Sequence, residues 1–207
     1  MSVSPGADRL VRGVDAAVPT DFVCRLSVDQ YHQMLQAGIL TEDDPLELLD
    51  GWLVPKMMKN PSHRVVTELV RKGLEQNLPA GWFVSSQDPI TLPTSEPEPD
   101  VAVVRGQLRD YLARHPGPKD LAMVVEVADV SLHRDRTTKK RLYAEAGIPF
   151  YWIVNLVDSR IEVYSDPAGG SDSADYRNRR DFTPSEAVFI VIGQKSVGAL
   201  KVESLLP

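Results

Sequence analysis

The apolar positions of this chain change period several times, and each change suggests an element. LSVDQYHQMLQAGIL sets Tyr31, Met34 and Leu35 at helical spacing behind Ser27, a residue suited to N-capping. LELLDGWLVPKMM reads as two short strands joined at an Asp50-Gly51 turn. NPSHRVVTELVRKGLEQNL gives the clearest amphipathic helix, with a proline in its first turn and a stripe of Val66, Leu69, Val70 and Leu74. GWFVSSQ, PITL and VAVV read as short strands, with the acidic, proline-rich TSEPEPD leading into the last of them. GQLRDYLARHPGPKD suggests a short helix and a loop. AMVVEVA is a buried strand, RDRTTKKRLYAEAGI a helix and FYWIVN a second buried strand. RIEVY and a polar edge follow, with RNRR in a loop, and AVFIVI is the last strand. The order argues for a mixed α/β or α+β sandwich around a central sheet. AMVVEVA, helix, FYWIVN has the form of a βαβ crossover, which makes those two strands parallel.

Composition narrows the class. With 207 residues, 43% hydrophobic and 25% charged, the chain can bury a core without staples. Residues 1–20 show no period and are expected to form a flexible arm, with a single domain over 21–207. Cys24 is the single cysteine, so no internal disulfide can form; a reducing compartment fits, and Cys24 is expected to be a small buried hydrophobe. No segment resembles a signal peptide or a membrane span, and a cytoplasmic location is expected. The net charge of -6 gives no overall attraction to nucleic acid. Such binding would need local clusters. Arg134, Arg136, Lys140 and Arg141 in RDRTTKKR are one, and Arg177, Arg179 and Arg180 are another. Read alone, each is equally a solvated face.

Three residues carry the chemical interest. Glu126 stands among valines, and a charge removed from water must be paired, metal-bound or neutralised. Strand alternation puts it with Ala122, Val124 and Ala128, opposite Met123, Val125 and Val127. Asp100 follows Pro99 at the entry to VAVV. Lys139 shares a helical stripe with Leu142, Tyr143 and Ala146, and Asp135, four residues earlier, is placed to pair with it. Singly, Glu126 is equally a structural acid, Asp100 a turn residue and Lys139 a snorkelling base. Together, two carboxylates and a lysine suit metal-assisted hydrolysis. Mg²⁺ or Mn²⁺ takes one or two carboxylates plus phosphate oxygens, and a lysine can stabilise developing charge. No zinc pattern, glycine-rich phosphate loop or Ser-His-Asp order competes.

The pattern of PD before a hydrophobic strand, a strand bearing Glu, then Lys resembles the PD-(D/E)xK nuclease superfamily. ELLDG, a His opening a helix, PDVAVV, VVEVADVS, D-x3-K-x3-Y and AGIPFYWIVN, in that order, resemble the Uma-two family of restriction-endonuclease-like proteins from about Leu46 to Val163. The resemblance implies a restriction-endonuclease-like fold: a mixed sheet flanked by helices. It implies a Mg²⁺- or Mn²⁺-dependent endonuclease acting on DNA, working as a homodimer. The alternative is a weakly active or inactive nuclease-fold module that binds nucleic acid or protein. The resemblance makes Asp100 and Glu126 metal ligands, with the Val127 carbonyl completing the shell. It moves the lysine of the motif from position 128, here alanine, to Lys139. Glu47, His63, Asp135 and Tyr143 take supporting positions. Two residues depart from the family pattern: Asp129 stands where serine is usual and Asn155 where aspartate is usual.

Overall fold

The computed structural model describes residues 23–41, 43–170 and 173–207, so the expected arm at 1–20 lies outside the described residues. Helix α1 (Val28–Gln36) starts at the expected cap. The Ser27 hydroxyl accepts from the Gln30 N–H at 3.1 Å, and the Gln30 side chain accepts from the Ser27 N–H at 2.9 Å. Strands β1 (Leu46–Leu49) and β2 (Trp52–Pro55) form a hairpin turned at Asp50 and Gly51, both at positive φ (52° and 78°). Helix α2 (Pro61–Glu75) has proline in its first turn, and Asn60 accepts from the His63 N–H at 2.9 Å as its cap.

The central sheet has six strands in the order β3 (Trp82–Ser85), β4 (Val101–Arg105), β5 (Leu121–Ala128), β6 (Phe150–Asn155), β7 (Arg160–Ala168) and β8 (Asp175–Phe182). Only β5 and β6 run parallel, as the crossover required; the other neighbours are antiparallel. The crossover contains α3 (Leu132–Arg134), a π-helical turn (Asp135–Lys139) and α4 (Lys140–Glu145). One core joins Val66, Val70 and Leu74 of α2 to one sheet face, together with β9 (Ala187–Ile192) and β10 (Lys195–Lys201). The second core packs Leu142, Tyr143 and Ala144 of α4 on the other face, among Tyr151, Tyr164 and Tyr176. The fold is a mixed α/β sheet with a helix against each face.

Several expectations need correction. PITL is not a strand: Ile90, Thr91 and Leu92 donate to the carbonyls of Pro97, Pro116 and Ser95, all loop partners. Leu69 stands 36% exposed, and His63 and Thr67 are buried on the helix stripe instead. Ala122 joins the Met123 side of β5, because the register slips there: Val103 faces Met123, but Val104 faces Leu121. Arg177, Arg179 and Arg180 lie in strand β8, not in a loop. The final strand is β10, and β9 pairs with it rather than with the main sheet. Cys24 is exposed, in the extended segment before α1.

Candidate active site

The site lies where β4 and β5 part. Their ladder ends at Val101 opposite Val125, while β5 runs on beside β6 to Ala128. The Val127 N–H therefore has no β4 backbone partner and is taken by Asp100, whose Oδ2 accepts it at 2.9 Å. Val127 packs into the α2 core, so alternation turns Glu126 to the opposite face, over which the crossover helix returns. Lys139 Nζ donates to Glu126 Oε1 at 2.8 Å, and the Tyr143 hydroxyl donates to the same oxygen at 2.7 Å. The i, i+4 spacing of Lys139 and Tyr143 thus delivers two donors to one buried carboxylate.

Glu47 arrives from β1. Its Oε2 lies 3.7 Å from Lys139 Nζ and its Oε1 3.6 Å from an Arg134 nitrogen. His63, in the first turn of α2, places Nε2 3.1 Å from Asp100 Oδ2. Thr67 donates to the His63 carbonyl at 2.9 Å, and its oxygen lies 3.4 Å from Nδ1. Asp135 does not pair with Lys139. It accepts from the Ser131 hydroxyl at 2.6 Å, and Lys139 engages Glu126 and Glu47 instead. The π-helical turn between them breaks the plain i, i+4 geometry on which that expectation rested.

Glu47, Asp100, Glu126, Asp135 and Lys139 are all buried, so their charges are poorly screened. Burial pushes Glu126 up to about 8, with Asp135 and Asp100 adding to the rise against the opposing Lys139 ammonium. Burial likewise raises Asp135 to about 6. Asp100 moves the other way. Burial opposes its ionisation, but the His63 hydrogen bond and charge, the Lys59 charge and the Val127 N–H together hold it below its ordinary value. Lys139 is held protonated, because Glu126, Glu47 and Asp135 outweigh its own burial. Neighbouring carboxylates pushed in opposite directions are the arrangement that acid–base chemistry uses.

Among the described residues, no group of three or more His, Cys, Asp or Glu side chains is arranged to hold a metal ion by itself. The donor set nonetheless fits a hard divalent cation that takes two carboxylates and completes its shell with main-chain, water and phosphate oxygens. Four buried carboxylates lie around one buried lysine; burial lifts Glu126 and Asp135, and the neighbouring negative charge adds to the rise. Asp100 and Glu126 are the residues that could hold the ion.

The basic residues named from sequence separate in space. Arg134 lines the cleft and donates to the Pro55 carbonyl at 2.9 Å. Arg136 is engaged by Glu162 and Asp158, Lys140 by Asp175, and Arg141 by Asp50 and Glu145, away from the cleft lining. Sequence reasoning missed the loop between β2 and α2. Lys56, Met57, Met58 and Lys59 wall the cleft, and Lys59 Nζ lies 3.2 Å from Asp100 Oδ1. Two lysines flanking the Met-Met pair just before the helix cap were the available signal.

The mixed sheet with a helix against each face is a restriction-endonuclease-like fold. Residues 28–192 match the model of the Uma2 family, described as "putative restriction endonuclease", and the chain belongs to that family. The fold is similar to the crystal structure of a "putative nuclease" from Anabaena variabilis. That similarity has a TM-score of 0.65 and 14% identity, over 87% of this chain and 97% of that one. No curated protein matches the chain. Among the described residues, no helix is long and apolar enough to cross a membrane.

Proposed function

We propose that this protein is a Mg²⁺- or Mn²⁺-dependent endonuclease that hydrolyses phosphodiester bonds of DNA. The observation that carries the reading is the convergence of Asp100 (just before β4), Glu126 (β5) and Lys139 (the crossover) in one cleft. Asp100 and Glu126 would hold the cation, with the Val127 carbonyl as a third donor. Bound there, the ion supplies charge neutralisation on the phosphate and acidification of water. Asp100 is kept ionised by His63 and the Val127 N–H, so it is ready to bind a cation at neutral pH. Lys139 is the charged donor that orients water and stabilises negative charge as the phosphate is attacked. Tyr143 and Glu47 hold that lysine and Glu126 in place, and Arg134 at the cleft offers a contact to the DNA backbone. A homodimer, presenting one site to each strand, follows by analogy with other nucleases of this fold.

A second reading treats the chain as a nuclease-fold binding module without turnover. It is favoured by the internal pairing of Lys139 with Glu126 and Glu47, and by the net charge of -6. Metal binding separates the two. A ligand bound only by the folded state stabilises it by about 2.7 kcal/mol at a hundredfold excess over Kd. Thermal unfolding across a Mn²⁺ titration is therefore expected to show a rising midpoint for the wild type. Asp100→Asn, which keeps an oxygen for the Val127 N–H, is expected to lose that rise. Equal responses would move the binding-module reading to first place.

A further inference from the structure

Asp100 has three partners of unequal permanence. Its Oδ2 meets the Val127 N–H at 2.9 Å and His63 Nε2 at 3.1 Å, and both donors belong to buried residues. Its Oδ1 meets Lys59 Nζ at 3.2 Å, and the Lys59 side chain is 37% exposed. Removing either buried donor strands a polar group away from water. Lys59 can leave at little cost, since a long exposed side chain carries its ammonium into solvent and such ion pairs are weak. Lys56, on the same loop, is held by Glu98 at 2.5 Å and does not engage Asp100. Lys59 is therefore the single displaceable cation among the described partners of the Asp100 carboxylate.

We propose that Lys59 is a placeholder cation. In the metal-free protein its ammonium neutralises Asp100 Oδ1. A divalent cation displaces it, and the released ammonium, tethered at the cleft wall, binds a phosphate of the nucleic-acid backbone. The exchange leaves the Asp100 carboxylate facing a cation in either state, and it couples metal loading to the exposure of a phosphate-binding group. This inference rests on the metal-dependent reading above.

The test measures Mn²⁺ affinity without nucleic acid, by the electron paramagnetic resonance signal of free Mn²⁺. It then measures binding of a phosphorothioate duplex in Mn²⁺ across a salt series. Lys59→Met and Lys59→Gln are expected to bind Mn²⁺ about threefold to fivefold more tightly, because a competitor worth a weak surface pair is gone. Lys56→Met removes the same charge from the same wall and is expected to stay within about twofold of wild type. On duplex, the Lys59 variants are expected to bind more weakly, with a salt slope smaller by about one. Unchanged or weaker Mn²⁺ binding in the Lys59 variants, or the same gain in Lys56→Met, overturns the assignment of Lys59 alone. Absence of Mn²⁺ binding in the wild type as well overturns both this inference and the metal-dependent reading.

Discussion

Glu126 and Asp135 hold their protons more tightly in the folded protein than in the unfolded chain. Their folded-state values of about 8 and about 6 exceed their ordinary values of 4.5 and 3.8. The stability they contribute is complete below their ordinary values of 3.8 and 4.5 and is lost as pH rises through about 6 and then about 8. The metal-free protein should therefore melt at progressively lower temperature between pH 5 and pH 8.5, apart from what other groups add. Glu126→Gln, which cannot ionise, should flatten the upper part of that profile. Melting curves recorded in chelator at intervals of pH check this, and superimposable slopes for wild type and variant would contradict it. The two departures from the family pattern are accommodated at the same scale. Asn155 is buried, and its Nδ2 donates to Glu162 Oε1 at 2.8 Å and to Asp158 Oδ2 at 3.0 Å. An aspartate there would set a second carboxylate against Glu162. Asp129 accepts from the Asn60 side chain, so its charge lies beside the N-terminus of α2, where a negative group is favoured. Glu126 and Lys139 stood out in the sequence as charges in apolar patterns, whereas Asp100 stood out only by its place between Pro99 and a hydrophobic strand. Lys59 did not, because the loop around it has no period against which a lysine stands out.

Elements with a strong period were legible too. The α1 cap, the Asp50-Gly51 hairpin, α2 and the parallel β5–β6 pair all stand where the pattern put them. Three features escaped for physical reasons. PITL is apolar but bounded by Pro89 and Pro93, and its N–H groups find loop carbonyls instead of a ladder. Strand β10 contains Gly198, because Asn77 from the end of α2 presses against it; a Cβ there would lie 2.3 Å from the Asn77 side-chain oxygen. The π-helical turn at Asp135–Lys139 leaves no trace in apolar spacing, yet it helps set which carboxylate Lys139 meets. The β1–β2 hairpin carries Glu47 into the site, so its turn matters to the site's integrity. Gly51 sits at φ 78°, and a Cβ there would lie 2.6 Å from the Arg25 Cβ and 3.0 Å from the Leu26 carbonyl oxygen. Left-handed strain costs about 1–2 kcal/mol for a residue with a Cβ, before any clash. Gly51→Ala should lower the melting midpoint by about 2 to 8 °C from this strain alone for a chain of this size, and further through the clash. Gly38→Ala, at φ 67° with open space around it, should cost less. Differential scanning calorimetry of the two variants checks the order, and equal losses would contradict it.

At the scale of the whole molecule, the mixed sheet carries one helix on each face and opens a fork between β4 and β5. That fork brings the acid preceding β4 and an acid of β5 beside a lysine from the crossover. A net charge of -6 gives no general pull on DNA, so the proposed reading requires local attraction, for which the cleft offers Lys56, Lys59 and Arg134. A bound divalent cation would reverse part of the charge that now surrounds Glu126. The family and the fold make the chain nuclease-like; catalysis is the central claim. It is tested most directly by incubating duplex and single-stranded DNA with the wild type and with Lys139→Met, each with Mg²⁺, Mn²⁺ or chelator. The wild type is expected to cleave in metal alone, and Lys139→Met to lose about a hundredfold or more, the scale expected when one transition-state donor is removed. Circular dichroism must show that the variant is still folded. Equal cleavage by the folded variant, cleavage in chelator, or intact DNA in every metal condition would contradict that expectation.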